Sequence, residues 1–414
     1  MAPDPRLSFQ EIMELAELPL SPEAAAAGVA RRFISRRPAN LPGADIEEGD
    51  AVSGPRGVFP NPPVAAFGGH VFCQAAMAVG RAASEDQDKQ NAGAAESRYG
   101  LHTVHGYFTV FGLTDRPFVY DVEQITTGRS FVTYAVKARQ PIDKESSFSP
   151  GGEHGSLLRF PAADPDTTPV DSDLGPVCFS AMVSLKLPEP HCLGLTLQEP
   201  PPQARFAAVL AARPRLGDWP LVPRLDMQGI VDALGPAGAE VAGTFPAVEM
   251  RKVVDMAAYS AGRPMHEKRE LILYRLLGPA AAAGGGGDDP NAHALVHAFV
   301  GDRNGLLMAA NFMGLGSGGA KLITTLSNTF VVHTNAEDVV MHCGRDGERE
   351  PGGDGGSDQW WIYEVTYPRV ANGRVILEGK VWSPGGVHVA TVYQDGIVRA
   401  MRGLAMDAKE REKL

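Results

Sequence analysis

The chain has no basic excess. Lys and Arg number 38 against 49 Asp and Glu in 414 residues, a formal charge of −11, whereas a polyanion-binding surface needs a positive field. A nucleic-acid partner is therefore not expected. Cysteine is scarce: Cys73, Cys178, Cys192 and Cys343 lie far apart, with neither metal-ligand spacing nor a disulfide framework, which suits a reducing compartment. No stretch approaches the roughly 20 consecutive apolar residues of a membrane span. The N-terminal MAPDPRLSFQEIMELAEL carries acids and no apolar run, so a secretory signal is not expected either. There is no Gly-x-Ser-x-Gly, which argues against the nucleophile elbow of the α/β hydrolases. No cofactor or metal is implied.

What remains is an ordinary globular composition, 44% hydrophobic and 21% charged, with a length that favours two domains. The stretch that organises the rest is NAHALVHAFVGDRNGLLMAANF, residues 291–312. At helical spacing Leu295, Phe299, Asp302 and Leu306 share one stripe, apolar except for the carboxylate. An acid facing a core is costly unless partnered, and such acids gather at functional sites. The plainer alternative, favoured by this stretch taken alone, ends the helix near Gly301 and leaves Asp302 to begin a turn before Gly305.

Taken in order, Ser8 and Glu11 form a capping box for a short helix holding Phe9, Ile12, Met13 and Leu18. Residues 31–66 begin basic and become Pro- and Gly-rich. Phe67-Gly68-Gly69-His70 then opens a helix of small residues; the glycine pair suggests close packing against a sheet, with a phosphate cradle as the weaker reading. A polar insert, Ser84–Arg98, precedes the strands LHTVHGYFTVFG, PFVYDVEQITTGRSFVTYAVKARQ and VCFSAMVSLKL. Thr126–Arg129 reads as a hairpin turn. His102 and His105 form an H-x-x-H, but residues three apart on a regular strand point to opposite faces, so no metal site is assigned there. A Pro-rich connection leads to a second run: FPAVEMRKVVDM, RELILYRLLG, the AAAAGGGGDDP loop, the organising helix, and four strands interrupted by the polar loop 345–359. The two halves repeat one plan, a helix followed by long antiparallel strands, which implies two α+β units pairing their sheets.

FGGHVFCQA, HTVHGYF, FVYDVEQITTGRSFVTYAVKARQ and the late VATVYQDGIVR resemble the type II acyl-CoA thioesterases, over roughly residues 8–190 and 245–403. The resemblance implies a double hotdog, two antiparallel sheets each wrapped around a central helix. It also implies an N-terminal hotdog domain at 8–190, a Pro-rich linker at 191–244 and a C-terminal hotdog domain at 245–405. The family's Asp, Ser or Thr, and Gln fall on Asp302, Thr325 (with Thr324 one register away) and Gln394, all in the second half. By strand alternation Thr325 shares a face with Ile323 and Val331. Two positions depart from the family pattern: Ser327-Asn328 stands where relatives carry Asp-His, and His70 where they carry Gln.

The chemistry so implied is hydrolysis of fatty acyl-CoA by a water held between Asp302, Thr325 and Gln394, with backbone N–H groups at a helix N-terminus meeting the carbonyl oxygen. The acyl-CoA substrate is the partner expected, with Arg303, beside the acid, offered for CoA phosphate. A homo-oligomer is possible from the fold. A catalytically weakened acyl-CoA binding or scaffolding protein is the alternative that Ser327-Asn328 keeps open. A hotdog hydratase is disfavoured because no His follows Asp302 at about five positions. The compartment is read as intracellular, cytoplasmic or peroxisomal, since Glu412-Lys413-Leu414 is similar to a peroxisomal tripeptide.

Overall fold

The computed structural model describes residues 6–40, 65–91, 98–142, 174–190, 196–226, 231, 245–278, 280, 289–313, 320–342 and 360–400. The loops 281–288 and 345–359, and the C-terminal tripeptide, lie outside these residues. Twelve strands are described. In the first half they are β1 (Leu15–Leu18), β2 (Arg31–Ser35), β3 (Gly100–Phe108), β4 (Val119–Thr127), β5 (Phe131–Arg139) and β6 (Phe179–Lys186). In the second they are β7 (Val248–Lys252), β8 (Glu270–Leu276), β9 (Ala320–Val332), β10 (Trp361–Ala371), β11 (Arg374–Trp382) and β12 (His388–Ala400). Three helices shape the site: α1 (Gly68–Asn91), α2 (Pro290–Asp302) and α3 (Gly305–Phe312).

All twelve strands belong to one antiparallel sheet of order β1-β2-β4-β5-β6-β3-β9-β12-β11-β10-β8-β7. Each half runs through the same order, and the halves meet where β3 pairs with β9, Thr103 to Val331 through Tyr107 to Ser327. The two sheets implied by the repeat are thus joined edge to edge. Alternation explains the strands: in β5, Val132, Tyr134, Val136 and Ala138 turn inward, and Thr133, Lys137 and Arg139 do not. The inward side chains bury α1 and α2, which pack against each other. One hydrophobic core spans both halves. Phe67 of the first half meets Phe299 of α2 at 5.3 Å and Phe245 at 6.0 Å. Asn291, at the start of α2, takes Leu101 N–H at 2.6 Å and donates to Tyr99 O at 3.1 Å. The fixed relation of the two helices follows from these ties.

Some local expectations are corrected. The capping box at Ser8 and Glu11 is present, but its helix is only Phe9–Ile12, and Leu18 lies on β1; tertiary pairing with β2 overrides the helical spacing. The polar insert is helical as far as Asn91, because polar residues on α1 need no apolar face beyond the core. His102 and His105 share the outer face of the sheet, since a bulge between Leu101 and Thr103 resets the alternation. His102 Nδ1 meets Ser184 Oγ, and His105 Nδ1 meets Thr329 Oγ1, each at 3.2 Å.

On the opposite, outer face of the second half, residues of the Pro-rich connection fill a second core. Phe206 and Trp219 are buried against Leu271, Ile362 and Trp382. Arg205 donates to the buried Glu364, Nη1 to Oε1 at 2.9 Å. No helix among the described residues is long and apolar enough to cross a membrane.

Candidate active site

Asp302 is the last residue of α2, and the stripe that was to run on to Leu306 is broken there. Arg303 is extended and Asn304 is left-handed at φ 61°, after which α3 begins at Gly305. Asparagine tolerates that conformation better than most side chains, and the glycine that follows starts the next helix without crowding. Two tyrosines of β10, four residues apart and so on one face, hold the break from below. Tyr363 Oη donates to Gly301 O at 2.9 Å and Tyr367 Oη donates to Gly305 O. The plainer reading of the helix end was correct in geometry, yet Asp302 is not an idle turn residue.

Both carboxylate oxygens of Asp302 are engaged. Oδ2 accepts the N–H of Gly69 at 2.5 Å, and Oδ1 accepts from Gln394 Nε2. Gly69 lies in the first turn of α1, where backbone N–H groups have no partner inside their own helix and the dipole favours an anion. The glycine pair thus serves close approach, to the carboxylate at both glycines and, at Gly68, also to the Phe108 ring at the end of β3. A Cβ on Gly69 would lie 2.8 Å from the Phe67 ring and 2.9 Å from Asp302 Cβ. Burial pushes the Asp302 carboxyl up to about 6, against the pull of the two donors.

Gln394 is buried and faces inward on β12 with Val392 and Val398. Its cross-strand partner is Asn328, and the next pair on that face is Gly396 with Thr325. The register shifts between these pairs, so Leu326 is an extra residue on β9. Strict alternation from Asn328 would have put Thr324 inward; the bulge puts Thr325 there, on the face of Gln394. It also separates Thr325 from Val331, which pairs with Thr391 on the other face, while Ile323 stays with Thr325. The three residues singled out from sequence therefore converge: Asp302 and Gln394 are bonded, and Asp302 and Thr325 line one cavity of about 580 Å³. Its other walls are largely apolar and come from both halves, among them Phe108, Phe118, Leu306 and Ile323.

The two departures from the family pattern are also placed. Asn328 is buried beside Gln394, flanked across the sheet by Gly106. His70 is buried, its Nδ1 accepting Asn40 N–H at 3.3 Å, and desolvation holds its imidazole down at about 4. Arg303 does not serve as a phosphate ligand. It is buried with its guanidinium 4.3 Å from the centre of the Phe245 ring and Nη2 donating to Pro223 O at 3.4 Å.

Sequence reasoning placed the constellation wholly in the second half and so missed Gly69, Tyr363 and Asn304. The Gly-Gly pair and the Asn-Gly step were the available signals. What they bind could not be read from them, because each partner is remote in the chain.

Two family models match the chain: the N-terminal domain of acyl-CoA thioesterases over residues 58–147 and the C-terminal domain over residues 288–398. Acyl-CoA thioesterase 2 of Haemophilus influenzae is 38% identical over 74 residues, 18% of this chain and 22% of that protein. The match thus spans about a fifth of that relative. Mouse acyl-coenzyme A thioesterase 8 is 22% identical over 334 residues, 80% of each chain. Among solved structures, an acyl-CoA thioesterase II from Mycobacterium marinum superposes with a TM-score of 0.51 at 20% identity, covering 96% of this chain and 100% of that one. That likeness establishes the fold, a double hotdog.

Proposed function

Since the chain belongs to the type II acyl-CoA thioesterase family, we propose that it hydrolyses fatty acyl-CoA to a free fatty acid and CoA, with Asp302, Thr325 and Gln394 holding the attacking water. The observation that carries this reading is a desolvated carboxylate, fixed by Gly69 N–H and the Gln394 amide, at the wall of an apolar cavity into which Thr325 also faces. A long acyl chain needs such a cavity, and a water needs such a base.

In the reaction, Asp302 takes a proton from the water as its oxygen bonds to the thioester carbonyl carbon. The carbonyl electrons move onto oxygen and then return as the C–S bond breaks. The CoA sulfur leaves as thiolate and recovers the proton from Asp302. Thr325 and Gln394 orient the water, because a hydroxyl and an amide each donate and accept. The positive end of α1, whose Gly69 N–H already holds Asp302, lends its field to the oxygen charge.

The carboxylate must be ionised to act. Activity as kcat/KM accordingly rises with pH through about 6 and then levels. Gln394→Leu removes a donor that favours the charged form, so the midpoint moves upward, and misplacement of the base lowers kcat by about 10²-fold. A variant that loses rate with an unmoved midpoint would separate Gln394 from Asp302. The deciding experiment is release of free thiol from acyl-CoA of graded chain length by the purified protein. Retention of acyl-CoA without thiol release would instead make it a binding module, the role that Asn328 beside Gln394 leaves in view.

A further inference from the structure

The Pro-rich connection does more than join the halves. Its stretch at Leu221–Asp226 runs beside β7, with Val222 N–H donating to Met250 O at 3.0 Å. It then folds over the break between α2 and α3. Asn304 Nδ2 donates to Pro223 O at 3.0 Å, and Asn304 Oδ1 accepts Asp226 N–H at 3.2 Å. Asp226 O accepts from Asn311 Nδ2 at 3.1 Å, and its carboxylate Oδ2 accepts from Lys252 Nζ at 2.7 Å. Between these anchors, Leu225 packs against the buried Ala310, as Leu307 and Ile323 also do. Leu225 also lines the cavity that Asp302 and Thr325 line.

We propose that Leu225 bounds the acyl compartment, so that the size of this one side chain sets the acyl chain length that is hydrolysed; this rests on the acyl-CoA reading of the site. Two features favour the acyl chain over the pantetheine arm at this wall. The neighbours of Leu225 are aliphatic, and the two amides of pantetheine would lie unpaired against them. The wall is also pinned on both sides of Leu225 by Pro223 and Asp226, so it cannot swing aside to admit a longer chain. Asn304 fixes its distance from the catalytic carboxylate, since one residue alone separates Asn304 from Asp302 in the chain. A connection with no catalytic residue of its own thereby acts as the measuring wall of the site.

The test is kcat/KM for thiol release across saturated acyl-CoA from C4 to C18, for the parent, Leu225→Ala, Leu225→Trp and the volume-conserving Leu225→Met, each checked for folding by thermal unfolding. Leu225→Ala frees room for about three methylenes, and each added methylene that is buried raises kcat/KM about fourfold. Its optimum therefore moves to longer chains, that of Leu225→Trp to shorter ones, and that of Leu225→Met stays. An active parent whose chain-length profile is unmoved by both Ala and Trp overturns the proposal and leaves the thioesterase reading intact. A fall equal at every chain length overturns it as well, by showing that Leu225 only supports the fold. A parent that releases no thiol from any acyl-CoA overturns the thioesterase reading and this proposal with it.

Discussion

Asp302→Asn is expected to lower kcat for thiol release by a factor of about 10² to 10⁴, the range of a lost general base. The protein should stay folded. Asparagine has the shape of aspartate, and its oxygen can accept from either Gly69 N–H or Gln394 Nε2, although its own amino group then faces the other donor. That leaves one unmatched donor pair, a cost of about 1–3 kcal/mol, set against removal of a charge whose burial the parent must sustain. The pH dependence of stability separates this account from simple damage. The Asp302 carboxyl is raised from its ordinary 3.8 to about 6 in the folded chain, so between those values the folded state holds a proton that the unfolded state has released. Stability contributed by this group is therefore full below the lower value and lost as pH rises through the upper one. The Asn variant lacks this contribution. Thermal unfolding compared at pH 4 and pH 7 should show a smaller drop for the variant than for the parent. A folded variant with parental kcat would remove Asp302 from the chemistry.

Much of this arrangement was legible because it rests on short-range periodicity. Inward alternation of β5 and β12, the apolar stripe of α2 and the duplication of one plan in two halves all follow from spacing within a few residues. The candidate residues were legible only through resemblance. What stayed hidden depends on register. One extra residue at Leu326 decides whether Thr324 or Thr325 faces Gln394, and one at His102 puts two histidines on the same face. A bulge costs little locally and is fixed by pairing with a remote strand, so no local pattern announces it. The contact of Gly69 with Asp302 was hidden for the same reason. A backbone N–H has no sequence signature, and its partner lies 233 residues away. Leu225 was passed over because a Pro-rich composition reads as a connection, and nothing in it says that its end is tied back to Asn304 and Lys252.

Gly69→Ala tests whether the first half truly takes part in the site. The added Cβ would sit 2.8 Å from Phe67 and 2.9 Å from Asp302 Cβ, closer than carbon atoms pack without something moving. Phe67 has little freedom to yield, since its ring is held edge-on against both Phe245 and Phe299. The displacement therefore falls on Asp302 and on its bond to the Gly69 N–H. Overpacking of this kind costs about 1–3 kcal/mol in stability, and a shift of the base by an ångström costs about 10²-fold in kcat. Gly80→Ala on the same helix is the matched control. Nothing lies within 4 Å of a Cβ placed there, so replacing a helical glycine should stabilise the chain by about 0.5–1 kcal/mol and leave the rate alone. Measured together by thermal unfolding and thiol release, the two variants should diverge in both readouts. If Gly69→Ala kept the parental rate, Asp302 would not depend on the start of α1, and the second half would carry the chemistry unaided.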